Sequence, residues 1–235
     1  MLREISFEYE TDSNGSAQKR CVSFLKDVRE LESIKTRSIY PRGAVLFAEG
    51  QRPLGVYILR EGRAKVSVTS SAGKTLVLRI ADAGDLLGVN AVLAGKPAGA
   101  TVETLEQCRI DFISAETFLM LLERDKNVYL DVARALSRKL TGVMDHARLL
   151  LLADSAAEKL AGLLMKWCDE NGKSTPQGIR IAAGLTHAEI AEMICTSRET
   201  VTRLLGEFKR KQIVSLMDSA IFIRNRKALE SATRL

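Results

Sequence analysis

Between residues 37 and 112, short runs of hydrophobic residues alternate with polar residues and end near glycines. In RAKVSVT, residues 63–69, the alanine and both valines fall on one face of an extended chain, and the lysine, serine and threonine fall on the other. This period of two, rich in β-branched residues, is typical of half-buried strands. Repeated short strands with turns between them predict an antiparallel β-roll of the jelly-roll type. The predicted turn glycines are Gly43, Gly50, Gly62, Gly73, Gly84 and Gly95.

The pattern changes to that of a helix at Ala115. From there to Leu152 the chain has no proline, a single glycine and many strong helix formers, which predicts one helix about 57 Å long. Apolar residues recur in it at heptad spacing over three heptads. Because such a helix extends beyond a small domain, we expect this stripe to contact a second copy of the chain in a parallel homodimer; packing on the roll is the alternative. The stripe comprises Tyr129, Ala133, Leu136, Leu140, Val143, Ala147 and Leu150.

Beyond this helix the sequence predicts a small domain of mixed helices and strands. Asp154 and Ser155 interrupt the helical pattern, and another helix follows them. A short strand is predicted over residues 178–184, two short helices over residues 185–208, and then two strands separated by Asp218-Ser219. A terminal helix ends the chain. Two short helices followed by a small hairpin predict a winged helix-turn-helix.

The two helices predicted over residues 185–208 each begin with a Thr-x-x-Glu capping box, at Thr186 and Thr196. The second helix, Ser197–Lys209, has one apolar face and one polar face. An arginine guanidinium matches the O6 and N7 acceptors of guanine, and a glutamate accepts from cytosine N4, so we predict that the polar face reads DNA bases; capping alone is the alternative for Glu199. The predicted base-contacting residues are Arg198, Glu199, Thr202 and Arg203. The predicted contacts to the DNA backbone are Thr186, Thr196, Ser197, Thr200, Lys209 and Lys211.

The net charge of the chain, +6, is concentrated near the C-terminus. Residues 155–235 contain 13 Lys and Arg against 9 Asp and Glu, whereas residues 1–154 contain 22 against 20, which favours a polyanionic partner for the C-terminal domain. No apolar run approaches the about 20 residues of a membrane span, and no signal-peptide core is present, so a cytoplasmic protein is expected. The four cysteines and two histidines show no metal-ligand spacing, which predicts no metal site.

SRETVTRLLGEF, residues 197–208, closely resembles the recognition helix of the Crp–Fnr family, named after the cyclic-AMP receptor protein and the regulator of fumarate and nitrate reduction. The order of roll, long helix, hinge at Asp154 and winged domain also resembles that family from Arg37 to about Arg226. The resemblance implies a homodimeric transcription regulator with double-stranded DNA and RNA polymerase as partners. It also implies an inverted repeat with TGTGA-like half-sites. Thr202 stands where glycine is usual in that branch, so the half-site sequence stays open.

The patterns and the resemblance together divide this α+β chain into four parts. We predict a polar N-terminal tail over residues 1–20 and a β-roll sensor domain, similar to cyclic-nucleotide-binding domains, over residues 21–113. A dimerisation helix is predicted over residues 114–153 and a winged helix-turn-helix DNA-binding domain over residues 154–235. RNA polymerase would be contacted through exposed loops such as Asp169 to Lys173.

The effector site departs from the pattern of the cyclic-AMP branch. That branch uses a glutamate for the ribose hydroxyl, an Arg-Ser pair for the phosphate and a Thr-Ser pair of the long helix for the adenine. Because a buried cyclic phosphate needs a cationic partner, apolar replacements argue against cyclic AMP. Two alternatives stay open: a self-filled roll with a dimer that binds DNA without a ligand, or an apolar effector. The matching positions are Val89, Ala98, Gly99, Val143 and Met144.

Other chemistries find less support in the sequence. An iron–sulfur cluster needs several thiolates, whereas the N-terminal region has only Cys21. A haem could use His146 of the long helix, although a lone helical histidine is more often a surface or interface residue. A regulatory subunit that controls a partner protein through the roll would need an apolar anchor on the second short helix. A cupin-type enzyme would need histidines, which residues 37–113 lack, and we expect neither catalysis nor a cofactor.

Overall fold

The computed structural model describes residues 34–181, 184–217 and 220–233. The predicted tail over residues 1–20, Cys21 and the predicted turn at Asp218-Ser219 lie outside the described residues. Within the described ranges, no helix is long and apolar enough to cross a membrane.

The N-terminal domain consists of short strands and one short helix. In chain order they are β1 (Thr36–Tyr40), β2 (Val45–Phe47), β3 (Gly55–Glu61), β4 (Ala64–Thr69), β5 (Thr75–Ala81), β6 (Leu86–Leu87), α1 (Val89–Ala94), β7 (Thr101–Thr104) and β8 (Cys108–Ser114). The strands form two four-stranded sheets, with the orders β1-β8-β3-β6 and β2-β7-β4-β5, and neighbouring strands are antiparallel. The predicted antiparallel β-roll is confirmed.

The turns of the roll lie at the predicted glycines. From Gly43 to Gly95, the six glycines named above have φ angles between 61° and 109°, a region that other residues rarely adopt. The chain can therefore reverse at these positions without strain. The core of the roll includes the fully buried side chains of Ile58, Leu59 and Ile110.

The roll also buries a carboxylate that the sequence pattern does not reveal. Asp111 on β8 is fully buried and accepts hydrogen bonds from Arg37 Nε at 2.9 Å and Arg60 Nε at 2.7 Å, and Lys35 Nζ lies 3.2 Å away. Burial raises the pKa of Asp111, but the hydrogen bonds from Arg37, Arg60 and Lys35 outweigh it and hold the pKa below its ordinary value. The ionised carboxylate ties β1 and β3 to β8.

The single helix predicted over residues 115–152 is wrong, because the chain forms two helices, α2 (Ala115–Arg124) and α3 (Lys126–Leu152). Between them Asp125 is extended, with φ −120° and ψ 105°, and its carboxylate accepts from the backbone N–H of Asn127 at 2.8 Å and of Val128 at 3.4 Å. An aspartate that caps the following helix thus interrupts the run of helix formers. α3 alone has 27 residues and is about 40 Å long.

Two stripes of apolar residues run along α3, and one of them packs on its own chain. The buried stripe contains Val128, Val132, Ala135, His146 and Leu149. The stripe predicted for the dimer faces solvent instead, with Tyr129 61% exposed, Leu140 62% and Val143 40%. Its other members are exposed or half-buried. The described chain therefore leaves most of this second stripe uncovered.

The C-terminal domain has the predicted winged helix-turn-helix arrangement. Its elements are α4 (Ala156–Asn171), β9 (Lys173–Thr175), β10 (Gly178–Ile181), α5 (His187–Met193), α6 (Arg198–Arg210), β11 (Val214–Met217), β12 (Ala220–Ile223) and α7 (Arg226–Ser231). The four strands form one antiparallel sheet in the order β11-β12-β10-β9. The β11–β12 hairpin that follows α6 is the wing.

The two domains touch along β5. Val77 of β5 is fully buried and belongs to the hydrophobic core of the C-terminal domain, together with Leu163 of α4 and Ile190 of α5. Arg63 of the roll approaches Gly184 so closely that a Cβ at this glycine would collide with the guanidinium. The first helix of the helix-turn-helix is therefore held against the sensor domain.

Candidate DNA-binding interface

The helix-turn-helix consists of α5, α6 and the turn between them. Thr186 Oγ1 accepts from the backbone N–H of Glu189 at 3.2 Å, and Glu189 Oε2 accepts from the backbone N–H of Thr186 at 2.6 Å, so the predicted capping box starts α5. Cys195 in the turn has a φ of 54°, in the left-handed region. Ala191 of α5 and Val201 of α6 are buried in one core. The two helices pack together as the sequence predicts.

The second predicted capping box, of Thr196 with Glu199, is wrong. The residue that caps α6 is Ser197, whose Oγ accepts from the backbone N–H of Thr200 at 3.2 Å. Thr196 lies one residue earlier, and its backbone N–H donates to the Ala191 carbonyl at 3.0 Å. Thr196 and Ser197 are both good capping residues, and the path of the turn places Ser197 at the start of α6.

The exposed face of α6 carries all four residues predicted to contact bases. Arg198, Glu199, Thr202 and Arg203 are exposed, whereas Val201, Leu204, Leu205 and Phe208 on the opposite face are buried. Arg203 Nη1 lies 2.7 Å from Glu207 Oε1, one helical turn further on. That ion pair occupies one N–H of a group that has five donors.

Glu199 is an exposed carboxylate in the first turn of α6. It accepts hydrogen bonds from its own backbone N–H and from the Ser197 hydroxyl, and Arg198 lies beside it; these interactions lower the pKa of Glu199. At neutral pH the side chain is therefore an acceptor, which a contact with cytosine N4 requires. It also supports the start of the helix, so capping and base contact are compatible roles.

Thr202 is held by His187, a residue that sequence reasoning did not single out. His187 Nδ1 lies 2.8 Å from Thr202 Oγ1, and the same hydroxyl donates to the Arg198 carbonyl at 2.9 Å. Because the hydroxyl proton is used in the second bond, His187 is the donor in the first. These bonds join the start of α5 to the exposed face of α6 and leave Thr202 one acceptor position.

The residues predicted to contact the DNA backbone border this face. Thr186, Thr196, Ser197 and Thr200 lie at the N-termini of α5 and α6, and Lys209 and Lys211 lie at the C-terminal end of α6. Both lysines are exposed. Helix N-termini and lysines are groups that bind phosphates, so the border has the chemistry of a DNA-backbone contact.

Two protein-family models match the chain in the order of its domains. A cyclic nucleotide-binding domain matches residues 37–125, and a Crp-like helix-turn-helix domain matches residues 158–232. The chain belongs to the Crp–Fnr family. It is a DNA-binding transcription regulator and not an enzyme.

Curated relatives and solved structures are similar to this chain over most of their own length. The global nitrogen regulator of Synechocystis is 27% identical over 192 residues, which cover 81% of this chain and 85% of that protein. The fumarate and nitrate reduction regulatory protein of Yersinia pestis is 27% identical over 222 residues, 91% of this chain and 86% of that protein. The structure of a CooA mutant from Carboxydothermus hydrogenoformans has a TM-score of 0.78 at 22% identity and covers 91% of this chain and 95% of that one.

The roll of this Crp–Fnr regulator contains a cavity of about 500 Å³. Four of the five positions assigned above to a degenerate effector pocket line it: Val89, Ala98, Gly99 and Val143. Met144 does not line it and is 58% exposed, because its side chain leaves α3 on another side. That assignment is therefore wrong for Met144.

Cations also line this cavity, contrary to the expectation of a pocket without a cationic partner. They are Arg79, Lys96 and Lys139. Arg79 Nη1 lies 2.7 Å from Asp85 Oδ2, and Lys139 Nζ donates to the Leu86 carbonyl. No carboxylate is found among the described residues that line the cavity. The three cations come from a strand, a loop and α3, and no sequence motif links them.

Proposed function

We propose that this Crp–Fnr regulator acts as a homodimer that binds an inverted repeat with TGTGA-like half-sites about one helical turn apart. Each α6 would lie in a major groove. Arg198, Glu199, Thr202 and Arg203 would contact bases there, and the lysines after them would contact phosphates. RNA polymerase would be a further partner, through the exposed segment from Asp169 to Lys173, which the structure forms from the end of α4 and the start of β9 and not from a loop.

The observation that carries this proposal is the division of α6 into two faces. The inner face is buried, and the outer face presents two arginines, a glutamate and a threonine with no aliphatic or aromatic anchor. A surface for a protein partner would need such an anchor. The alternative of a regulatory subunit that acts on a partner protein is therefore not favoured.

The proposed dimer uses the uncovered stripe of α3. Its apolar residues repeat at heptad spacing on a helix about 40 Å long, and the same helix is anchored to its own chain by the opposite stripe. A second copy of α3 would bury Tyr129, Leu140 and Val143. Leu140 and Val143 also line the roll cavity, so the dimer contact and the effector pocket adjoin.

We further propose that cyclic AMP is not the effector. The described lining of the roll cavity has no carboxylate for the ribose hydroxyl, and Val89, Ala98 and Gly99 offer it no polar side chain. The dimer is then either active without a ligand or responsive to a mostly apolar effector. The three cations that line the cavity would bind one anionic group of such an effector.

Selection of random double-stranded DNA by the purified protein, without added ligand and at moderate salt, tests the DNA proposal. Enrichment of an inverted repeat with TGTGA-like halves is the expected result for a dimer that is active without a ligand. A parallel selection with cyclic AMP should enrich the same sequences to the same degree. Enrichment only with cyclic AMP would refute the effector proposal, and enrichment of unrelated or single half-sites would refute the proposed site.

Sedimentation of Leu140→Asp tests the dimer. A buried aspartate in the apolar stripe should convert the protein to a monomer, because two unpaired charges would be desolvated at the contact. Leu54→Asp is the matched control, since Leu54 is a 78% exposed leucine of the roll that lies off the stripe. A dimer in both variants would contradict the proposed interface.

A further inference from the structure

His146 lies where α3, α4 and α5 meet, at the boundary between the two domains. Its side chain is only 4% exposed, and it lines a second cavity, of about 410 Å³. Leu78 and Ile80 of β5 line this cavity from the roll, and Leu163 and Trp167 of α4 line it from the C-terminal domain. A change of charge at His146 therefore acts directly on the contact between the domains.

The ring of His146 makes one hydrogen bond across this boundary. It bonds the backbone carbonyl of Met193, the last residue of α5, whereas its Nε2 is buried without a hydrogen-bond partner among the described residues. One bonded N–H and one bare nitrogen describe the neutral ring. Protonation would place a second N–H at Nε2, where no described group receives it. A charged ring in this position would be both desolvated and unsatisfied.

Lys166 of α4 is the charge with the largest effect on this histidine. Its Nζ lies 3.4 Å from the Gly142 carbonyl, one turn before His146 on α3, and 3.9 Å from Glu170 Oε1. Burial lowers the pKa of His146, Lys166 lowers it further, and the hydrogen bond to Met193 only partly opposes them. The other charged groups around the boundary are Arg138, Lys139 and Asp145 of α3, Asp169 of α4, and Arg79, Asp82 and Asp85 of the roll. On α5, Glu192 directly precedes Met193.

We infer that His146 is a pH-sensitive latch between the sensor domain and the DNA-binding domain. The neutral ring holds α5 and α4 against α3 and β5, and protonation releases them. The inference goes beyond the proposed function and does not rest on it, because the latch joins two domains of one chain.

The direction of the pH effect follows from the two surroundings of the ring. In the open arrangement His146 is in water, with an ordinary pKa of about 6.5. Its pKa is lower in the closed arrangement, so closure is fully favoured above about pH 6.5 and weakens as the pH falls, by at most about tenfold per pH unit. Asp82 and Glu170 have the opposite effect: burial raises their pKa values in the closed arrangement, so their protonation favours closure.

Trp167 reports the state of this boundary. It is the only tryptophan of the chain, and it lines the same cavity as His146. We expect the emission of the full-length protein to shift to longer wavelength, and quenching by acrylamide to increase, as the pH falls from about 8 to about 5.5. The midpoint should lie below the ordinary histidine value. A flat emission over this range would overturn the inference.

His146→Gln is the decisive variant, because glutamine keeps an N–H donor for the Met193 carbonyl but does not titrate. It should lose the shift to longer wavelength. His187→Gln, at the only other histidine of the chain, is the matched control and should keep the shift. A wild-type response in His146→Gln would overturn the inference, and circular dichroism shows whether each variant is folded.

Lys166→Met gives a second test that does not alter the histidine. Removal of the neighbouring positive charge should raise the pKa of His146 and move the midpoint of the fluorescence shift to higher pH. A midpoint that stays in place or moves to lower pH would contradict the latch. The fluorescence needs neither DNA nor a dimer, so failure here leaves the proposed function standing, and failure of DNA selection leaves the latch standing.

Discussion

The roll and the DNA-binding domain place their charged side chains in opposite ways. In the roll, Asp111 is fully buried, and three cations from two neighbouring segments contact it. In the DNA-binding domain, Arg198, Glu199 and Arg203 of α6 are exposed to solvent. The buried charge is satisfied within the fold, whereas the exposed charges have most of their hydrogen-bonding capacity left for a partner.

This difference separates charges that stabilise the protein from charges that serve recognition. An ion pair in solvent contributes little to folding, so side chains such as Arg198 can vary with the DNA site at little cost in stability. Removal of one partner of a buried ion pair, in contrast, is strongly destabilising, because the other charge stays desolvated. Substitutions in the two places should therefore have different consequences, and the following predictions test this from the largest expected effect to the smallest.

Asp111→Asn should lower the free energy of unfolding by about 3–5 kcal/mol, because it replaces the buried carboxylate that Arg60 and Lys35 contact with a neutral amide. Urea denaturation measures this loss. Glu61→Gln is the matched control: Glu61 pairs with Arg109 at 3.0 Å in an exposed ion pair, and its loss should cost less than about 1 kcal/mol. Equal losses in the two variants would remove the distinction between buried and exposed charge.

We also expect wild type and Asp111→Asn to differ in the pH dependence of their stability. The folded pKa of Asp111 lies below its ordinary value, so its contribution to stability is present above the unfolded pKa of about 3.9 and is lost as the pH falls towards the folded pKa. Wild type should therefore lose stability in acid more steeply than Asp111→Asn. Parallel acid-denaturation curves would show that the carboxylate is not the source.

Arg198→Ala should weaken binding to the selected DNA site by about 1–3 kcal/mol and affect random DNA less, because a bidentate contact with guanine is lost. Fluorescence anisotropy with both DNAs measures the two affinities. Lys74→Ala removes the same charge from an exposed turn of the roll and should leave both affinities unchanged. Equal losses on both DNAs for Arg198→Ala would exclude a base-reading role.

Thr202→Val should cost about 1 kcal/mol in stability, since it removes the hydroxyl that joins His187 to the Arg198 carbonyl. Thermal denaturation measures this cost. Thr202→Ser keeps the hydroxyl and should recover most of the stability. A stable valine variant would show that the link between α5 and α6 is unimportant.

Lys211→Ala should have the smallest effect on recognition. The loss of one phosphate contact should lower the slope of log affinity against log salt by about 0.9, with similar weakening on specific and random DNA. Titrations at several salt concentrations measure this slope. An unchanged slope would remove Lys211 from the proposed contacts to the DNA backbone.

Much of the fold could be predicted because it depends on residues that are close together in the sequence. Glycines are needed where φ is positive, as at Gly62 and Gly84, and they mark the turns in the sequence itself. The heptad spacing of Tyr129 and Leu140 predicts their stripe without any tertiary information. The exposed face of α6 follows from its buried face for the same reason.

Other features could not be predicted because they depend on contacts between distant segments. Asp125 is compatible with a helix interior or with a cap, and tertiary packing decides for the cap. His146 lies outside the heptad stripe that the sequence predicts, and only the approach of Met193 and Lys166 shows that it is buried. The cations of the roll cavity, such as Lys96, are likewise brought together only by the fold.

α3 is the rod that connects the roll to the hinge at residues 153–155, and its length has a mechanical consequence. It is 27 residues long, and the chain leaves the helical conformation at Ala153, where φ is −78° and ψ is 128°. A rotation of a rod of about 40 Å by about 10° displaces its far end by about 7 Å. That displacement exceeds half of the about 12 Å width of the major groove. A tilt of this lever by about 10° is therefore enough to bring α6 into or out of register with DNA.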